Sequence, residues 1–188
     1  MTAQPAPVVD LAVVRAAAGG VPDPELPVIT LAQLGMVHDV VIEADGRVVV
    51  ELLPTFSGCP ATDMMSRDVV AAVQHAAGID VGVRWLFSPV WSSRRITTEG
   101  HERLIEFGIA PPSGGGPIST IERPAGARSL PVAGDVSLDL DAPPDQPVLC
   151  PYCRGMDVVE DSPFGPTPCR ASWFCASCQQ PFELFKEL

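Results

Sequence analysis

Apolar positions change period several times along this chain, and each change marks an element. Over residues 8–18, Val9, Val13 and Ala17 share one helical face, and the run stops at Gly19-Gly20, so a short helix with a glycine terminus is expected. Two β-branched runs follow, 36–43 and 47–53, joined by Ala44-Asp45-Gly46, whose Asp-Gly pair is a strong hairpin signal. Met65, Val69, Val73 and Ala76 then recur at spacings of three and four, which predicts a helix over 61–77 ended by Gly78. Residues 81–87 alternate well enough for a third strand. The stretch 97–107 reads as a last helix, capped by Thr97 or Thr98 and closed by Gly108 and Pro111-Pro112. Helix, hairpin, helix, strand, helix predicts an α+β fold: a small, mostly antiparallel sheet with helices on one face.

Beyond Pro111 the periodicity disappears. Residues 111–147 are dominated by proline, glycine, serine and alanine, with Gly114-Gly115-Gly116 and Pro143-Pro144 as punctuation and room for one strand over 132–140. A linker is expected there, between a folded unit over 1–110 and a second over 148–188. The second unit carries Cys150-Pro151-Tyr152-Cys153 and Cys175-Ala176-Ser177-Cys178, two C-x2-C knuckles separated by 21 residues. Two such knuckles bring four thiolates into a tetrahedron, and so short a piece has too little core to fold without a staple, so a structural zinc ribbon is expected. Trp173, Phe174, Phe182 and Phe185 would be its aromatic core. Cys169 is left over, either a spare thiol or an alternative ligand if the tail binds an iron–sulfur cluster.

One cysteine lies far from the tail. Thr55-Phe56-Ser57-Gly58-Cys59-Pro60-Ala61-Thr62 joins the second strand to the second helix. Pro60 suits a first helical position, which would put Cys59 at the helix cap, where the dipole favours a thiolate. Thr55, Ser57 and Thr62 surround the sulfur with hydroxyls. A metal ligand or nucleophile is one reading, and a small apolar filler beneath the turn is the other. Upstream, Val21-Pro22-Asp23-Pro24-Glu25-Leu26-Pro27 is too rich in proline for helix or central strand. Its carboxylates, Asp23 and Glu25, either line a site or solvate a loop.

Charge narrows the classes. With 23 acidic and 12 basic residues, a net charge of −11 argues against a nucleic-acid partner. No apolar run is long enough to span a bilayer, and the first ten residues carry no export signal, so a cytoplasmic location with metal-binding or reactive thiols is expected. There is no dinucleotide fingerprint, no phosphate loop and no H-E-x-x-H, and the three histidines are scattered. A self-contained redox enzyme is therefore not expected. Arg94-Arg95, beside Trp91, reads as a solvated pair.

Asp23-Pro24-Glu25-Leu26-Pro27, the pair Leu34-Gly35 opening the hairpin, and Thr55-Phe56-Ser57-Gly58-Cys59-Pro60 together resemble the iron–sulfur assembly domain family. The tail, with Cys150-Pro-Tyr-Cys153, the stretch ending Thr-Pro-Cys169, and Cys175-Ala-Ser-Cys178, is similar to the PaaD family of phenylacetyl-CoA epoxidase components. The resemblance implies an accessory role: helping to load iron–sulfur or diiron centres into a client of a multicomponent oxygenase, its diiron oxygenase or its iron–sulfur reductase. It implies Cys59 as the cargo-handling cysteine, with Asp23 and Glu25 in the acidic loop and Thr55 and Thr62 beside the sulfur. Cys150, Cys153, Cys175 and Cys178 would hold structural zinc, and the transient cargo would be an iron–sulfur cluster or iron. A single thiolate holds such a cargo loosely, so a second protomer of a homodimer, or the client, would complete the ligand set. The alternative from another class is an electron-transfer or structural subunit whose tail cysteines hold a redox cluster.

Overall fold

The computed structural model describes residues 9–112 and 147–187, so most of the expected linker, with its strand at 132–140, lies outside the described residues. Asp10 caps helix α1 (Leu11–Gly19), its carboxylate accepting the Ala12 N–H at 2.9 Å. Strands β1 (Val37–Ile42) and β2 (Val48–Leu52) form the expected antiparallel hairpin, with Gly46 supplying a φ of 87° at the turn. Helix α2 (Thr62–Ala77) buries Met65, Val69 and Val73 and ends at Gly78, whose left-handed conformation a side chain would resist. Strand β3 (Val81–Trp85) then pairs with β2 in the same direction. A helical crossover delivers parallel neighbours, so this sheet, order β1-β2-β3, is mixed, while three of the five strand pairings among the described residues are antiparallel. β2 sits at its centre, with Val48, Val49, Val50 and Leu52 buried. Helix α3 (Thr98–Glu106) begins where the Thr97 hydroxyl accepts the Gly100 N–H at 3.1 Å.

The pair Leu34-Gly35 is fixed by sterics. Gly35 has φ 65°, and a Cβ there would lie 2.2 Å from the Arg95 carbonyl oxygen. The two carbonyls of this pair hold the later loop: buried Trp91 donates its indole N–H to Leu34 at 2.9 Å, and Arg95 Nε donates to Gly35 at 2.7 Å. Arg95 is thus a half-buried clamp and not part of a solvated pair, because Trp91 needs a partner for its N–H and draws the whole loop inward. Arg94 alone is exposed.

The tail builds a second sheet from β5 (Val158–Ser162), β6 (Arg170–Cys175) and β7 (Gln180–Phe185), and its edge strand is β4 (Ile109–Ala110), from the end of the first stretch. Ile109 and Ala110 pair in parallel with Glu183 and Leu184. The aromatic core expected for the ribbon is therefore divided. Trp173 and Phe182 stack at 6.4 Å within the tail, whereas Phe185, 1% exposed, joins the core of the first sheet and lies 6.0 Å from Trp91. Burying a phenylalanine in this way contributes roughly 1.5–3 kcal/mol to holding the two parts together. Among the described residues no helix is long and apolar enough to cross a membrane.

Candidate functional site

Four sulfurs meet where the two knuckles face each other. Those of Cys150, Cys153, Cys175 and Cys178 all lie within 4.8 Å of one another, with Cys150 to Cys178 at 3.7 Å and Cys153 to Cys175 at 3.6 Å. Ligands about 2.3 Å from a tetrahedral ion stand about 3.8 Å apart, so the donor set fits one four-coordinate ion. A multinuclear cluster would push its ligands wider, because iron atoms intervene between the sulfurs. The Cys178 backbone N–H holds the Cys175 thiol down at about 7, while burial among the other sulfurs pushes Cys178 up to about 12. Bound metal would resolve this uneven sharing of protons by taking all four as thiolates.

The other cysteine site is assembled from three loops. The acidic loop closes on itself: Asp23 Oδ1 accepts the N–H groups of Glu25 and Leu26 at 2.8 and 2.9 Å, and the Asp23 N–H donates to Ile29 at 2.9 Å. Leu26 and Ile29 are buried beneath, which anchors the turn despite its prolines. Asp23, Glu25, Thr55 and Cys59 then line one cleft of about 30 Å³ whose far wall is Thr167, Pro168 and Cys169, with Leu34 and Phe185 at its base. Burial raises the Asp23 carboxyl above its usual range against the two backbone N–H groups that lower it, with Glu25 raising it further and Arg170 opposing.

Cys59 departs from expectation. Helix α2 starts at Thr62 with Ala61 as its cap, so Pro60 precedes the first turn and Cys59 stands outside it. Its N–H donates to the Phe56 carbonyl at 3.0 Å in a tight turn. Burial pushes the thiol up, the Ala61 N–H opposes, and Asp23 and Glu25 raise it further. The expected preference for thiolate is therefore overturned in the metal-free protein: the helix end is a step too far along the chain, and two carboxylates face the sulfur instead. The same carboxylates favour a bound cation. The sulfur is half-buried and open to the cleft.

Of the remaining candidates, Thr55 lines the cleft, whereas Thr62 turns its hydroxyl to donate to the Cys59 carbonyl at 3.2 Å and so braces the turn. Cys169 stands outside the four-sulfur group and inside the Cys59 cleft. Thr167 and Cys169 are parts of this site that sequence reasoning misses, since no spacing in the chain relates residue 59 to residue 169. A larger open groove of about 530 Å³ lies between Phe107, Tyr152 and Trp173. Its charged residues include Arg170 and Glu183, which pair at 2.6 Å, and no thiol lines it.

Fold and sites together define an α+β unit of the iron–sulfur assembly type carrying a four-cysteine ribbon. The family model for iron–sulfur cluster assembly proteins matches residues 11–85, and that for the PaaD zinc beta ribbon domain matches residues 137–186. The chain is 34% identical over 166 residues to PaaD of Escherichia coli strain K12, a putative 1,2-phenylacetyl-CoA epoxidase component, covering 88% of this chain and 86% of that one. It belongs to the PaaD family of phenylacetyl-CoA epoxidase components. It is also 34% identical over 88 residues to an Fe-S protein maturation auxiliary factor of Porphyromonas gingivalis, covering 46% of this chain and 80% of that one. A solved DUF59 domain from Bacillus anthracis superposes with a TM-score of 0.46 at 25% identity, over 50% of this chain and 90% of that one.

Proposed function

We propose that this chain is a cytoplasmic maturation factor of a phenylacetyl-CoA epoxidase system. It holds an iron-bearing cargo at Cys59 and passes it to a client, the diiron oxygenase or its iron–sulfur reductase. The observation that carries this reading is the half-buried Cys59 thiol facing Asp23 and Glu25 in one small cleft. The maturation role named for the Porphyromonas gingivalis relative and the epoxidase system named for the Escherichia coli relative point the same way.

The physical logic is a contrast between two sites. The ribbon closes four sulfurs around one ion, which is a site built to keep its metal, and zinc is the ion we assign to it. The Cys59 cleft offers few donors that are not gathered round a common point, which is a site built to release. Asp23 and Glu25 compensate the charge of an arriving cation, and a second protomer or the client supplies the ligands still needed. In this assignment residues 1–110 handle cargo, 111–147 tether, and 148–188 brace the site.

The test is the metal content of the client. An oxygenase purified from cells carrying Cys59→Ser should be intact in sequence and fold but short of iron, while the serine variant itself keeps its zinc. A full iron complement in that oxygenase contradicts the proposal. The competing assignment, a redox cluster on the tail cysteines, predicts a coloured protein bleached by dithionite. A single structural zinc predicts a colourless one with about one zinc per chain.

A further inference from the structure

We infer that Cys169 is the second thiol of the Cys59 cleft, and that the two sulfurs, with the Asp23 carboxylate, take one thiophilic divalent cation. This rests on the carrier reading of Cys59 and adds to it a donor from the other end of the chain.

Cys59 and Cys169 line opposite walls of a cleft with Asp23 between the two loops. The Asp23 charge acts on both thiols, raising each, so one carboxylate is within electrostatic reach of both sulfurs. The tail metal centre has no need of Cys169, because four other cysteines already complete its tetrahedron. A cysteine that only filled space would sit among apolar groups. Cys169 instead has a polar support. Buried Arg170 donates from Nε to the Thr167 hydroxyl oxygen at 2.7 Å, and that hydroxyl lies 3.2 Å from the Cys169 sulfur, free to donate its own proton to it. Arg170 is in turn held by Glu183 at 2.6 Å, in the strand that pairs with β4. The relay Glu183, Arg170, Thr167 presents the sulfur as an acceptor, which is the state a metal ligand requires.

The donor set selects the ion. Two thiolates and a carboxylate suit Fe²⁺, Co²⁺ or Zn²⁺ better than Mg²⁺ or Ca²⁺, which prefer oxygen alone. The cleft, at about 30 Å³, has room for a single ion and little else, so the cargo seated between the two sulfurs is mononuclear. Binding releases one proton from each thiol to solvent and changes no oxidation state. Among the described residues only the tail cysteines form a preassembled group, so the cleft must draw its donors together around the ion, which makes the complex labile.

The probe is Co²⁺, added anaerobically to the full chain with zinc already in the ribbon, and read by its thiolate-to-metal absorption. Wild-type protein should bind one Co²⁺ beyond the ribbon ion. Cys169→Ser should weaken that binding at least about tenfold and diminish the thiolate band, as should Cys59→Ser. Loss in Cys59→Ser with unchanged binding in Cys169→Ser overturns the second thiol and leaves the carrier reading standing. Unchanged binding in both variants overturns both. Iodoacetamide mapping of unmutated protein avoids any folding defect: Co²⁺ must protect Cys59 and Cys169 together, and protection of Cys59 alone refutes the inference.

Discussion

Cys59 lies among opposing influences: burial and two carboxylates hold its proton on, one backbone N–H favours letting it go, and the first two prevail. A metal reverses the balance, since the same carboxylates then lie beside a cation. Asp23 carries a related cost. Its carboxyl is raised by burial, so the folded state binds its proton more tightly than the unfolded chain does. The contribution to stability is full below the unfolded value of 3.8 and is lost as pH rises through the folded value. Asp23→Asn keeps an oxygen for the Glu25 and Leu26 N–H groups but removes the charge. The metal-free variant should match wild type in thermal midpoint near pH 3 and exceed it progressively above pH 4, while binding less Co²⁺. A midpoint that falls with pH relative to wild type would contradict the buried-carboxyl account. Gly35 allows a blunter check. Gly35→Ala must place a Cβ 2.2 Å from the Arg95 carbonyl at a left-handed φ, and should cost at least about 2 kcal/mol in urea unfolding.

At the scale of elements, the informative one is the shortest. β4 has two residues, too few for any period to show, yet it fastens the cargo-bearing fold to the ribbon through its pairing with β7. The hairpin, α2 with its apolar face, and the two C-x2-C knuckles are legible because each is a local pattern: Asp45-Gly46, Met65-Val69-Val73, and cysteines three apart. Phe185 reads as ribbon core from sequence because its partner, Trp91, is remote along the chain. Cys169 is hidden for the same reason, and the start of α2 is displaced because Pro60 is as compatible with the turn before a helix as with its first residue. Phe185→Ala should cost about 3–5 kcal/mol, and its effect should spread to the β1-β2-β3 sheet in hydrogen exchange. Phe182→Ala, in the smaller tail core, should loosen β5, β6 and β7 while leaving β2 protected.

For the whole molecule, these links make the ribbon a wall of the cargo cleft and not a detached appendage. Stripping its metal with a strong chelator should therefore unfold β5, β6 and β7, strip Cys59 of its far wall, and raise the iodoacetamide reactivity of Cys59 severalfold. Unchanged reactivity would show that the two parts act separately. The central claim concerns delivery, and a transfer assay addresses it most directly. Iron-loaded protein is mixed with metal-free client oxygenase in the presence of a chelator that captures free iron, and the iron gained by the client is measured. The account predicts that wild-type protein fills the client despite the chelator and that Cys59→Ser does not. Equal filling by both proteins would contradict it.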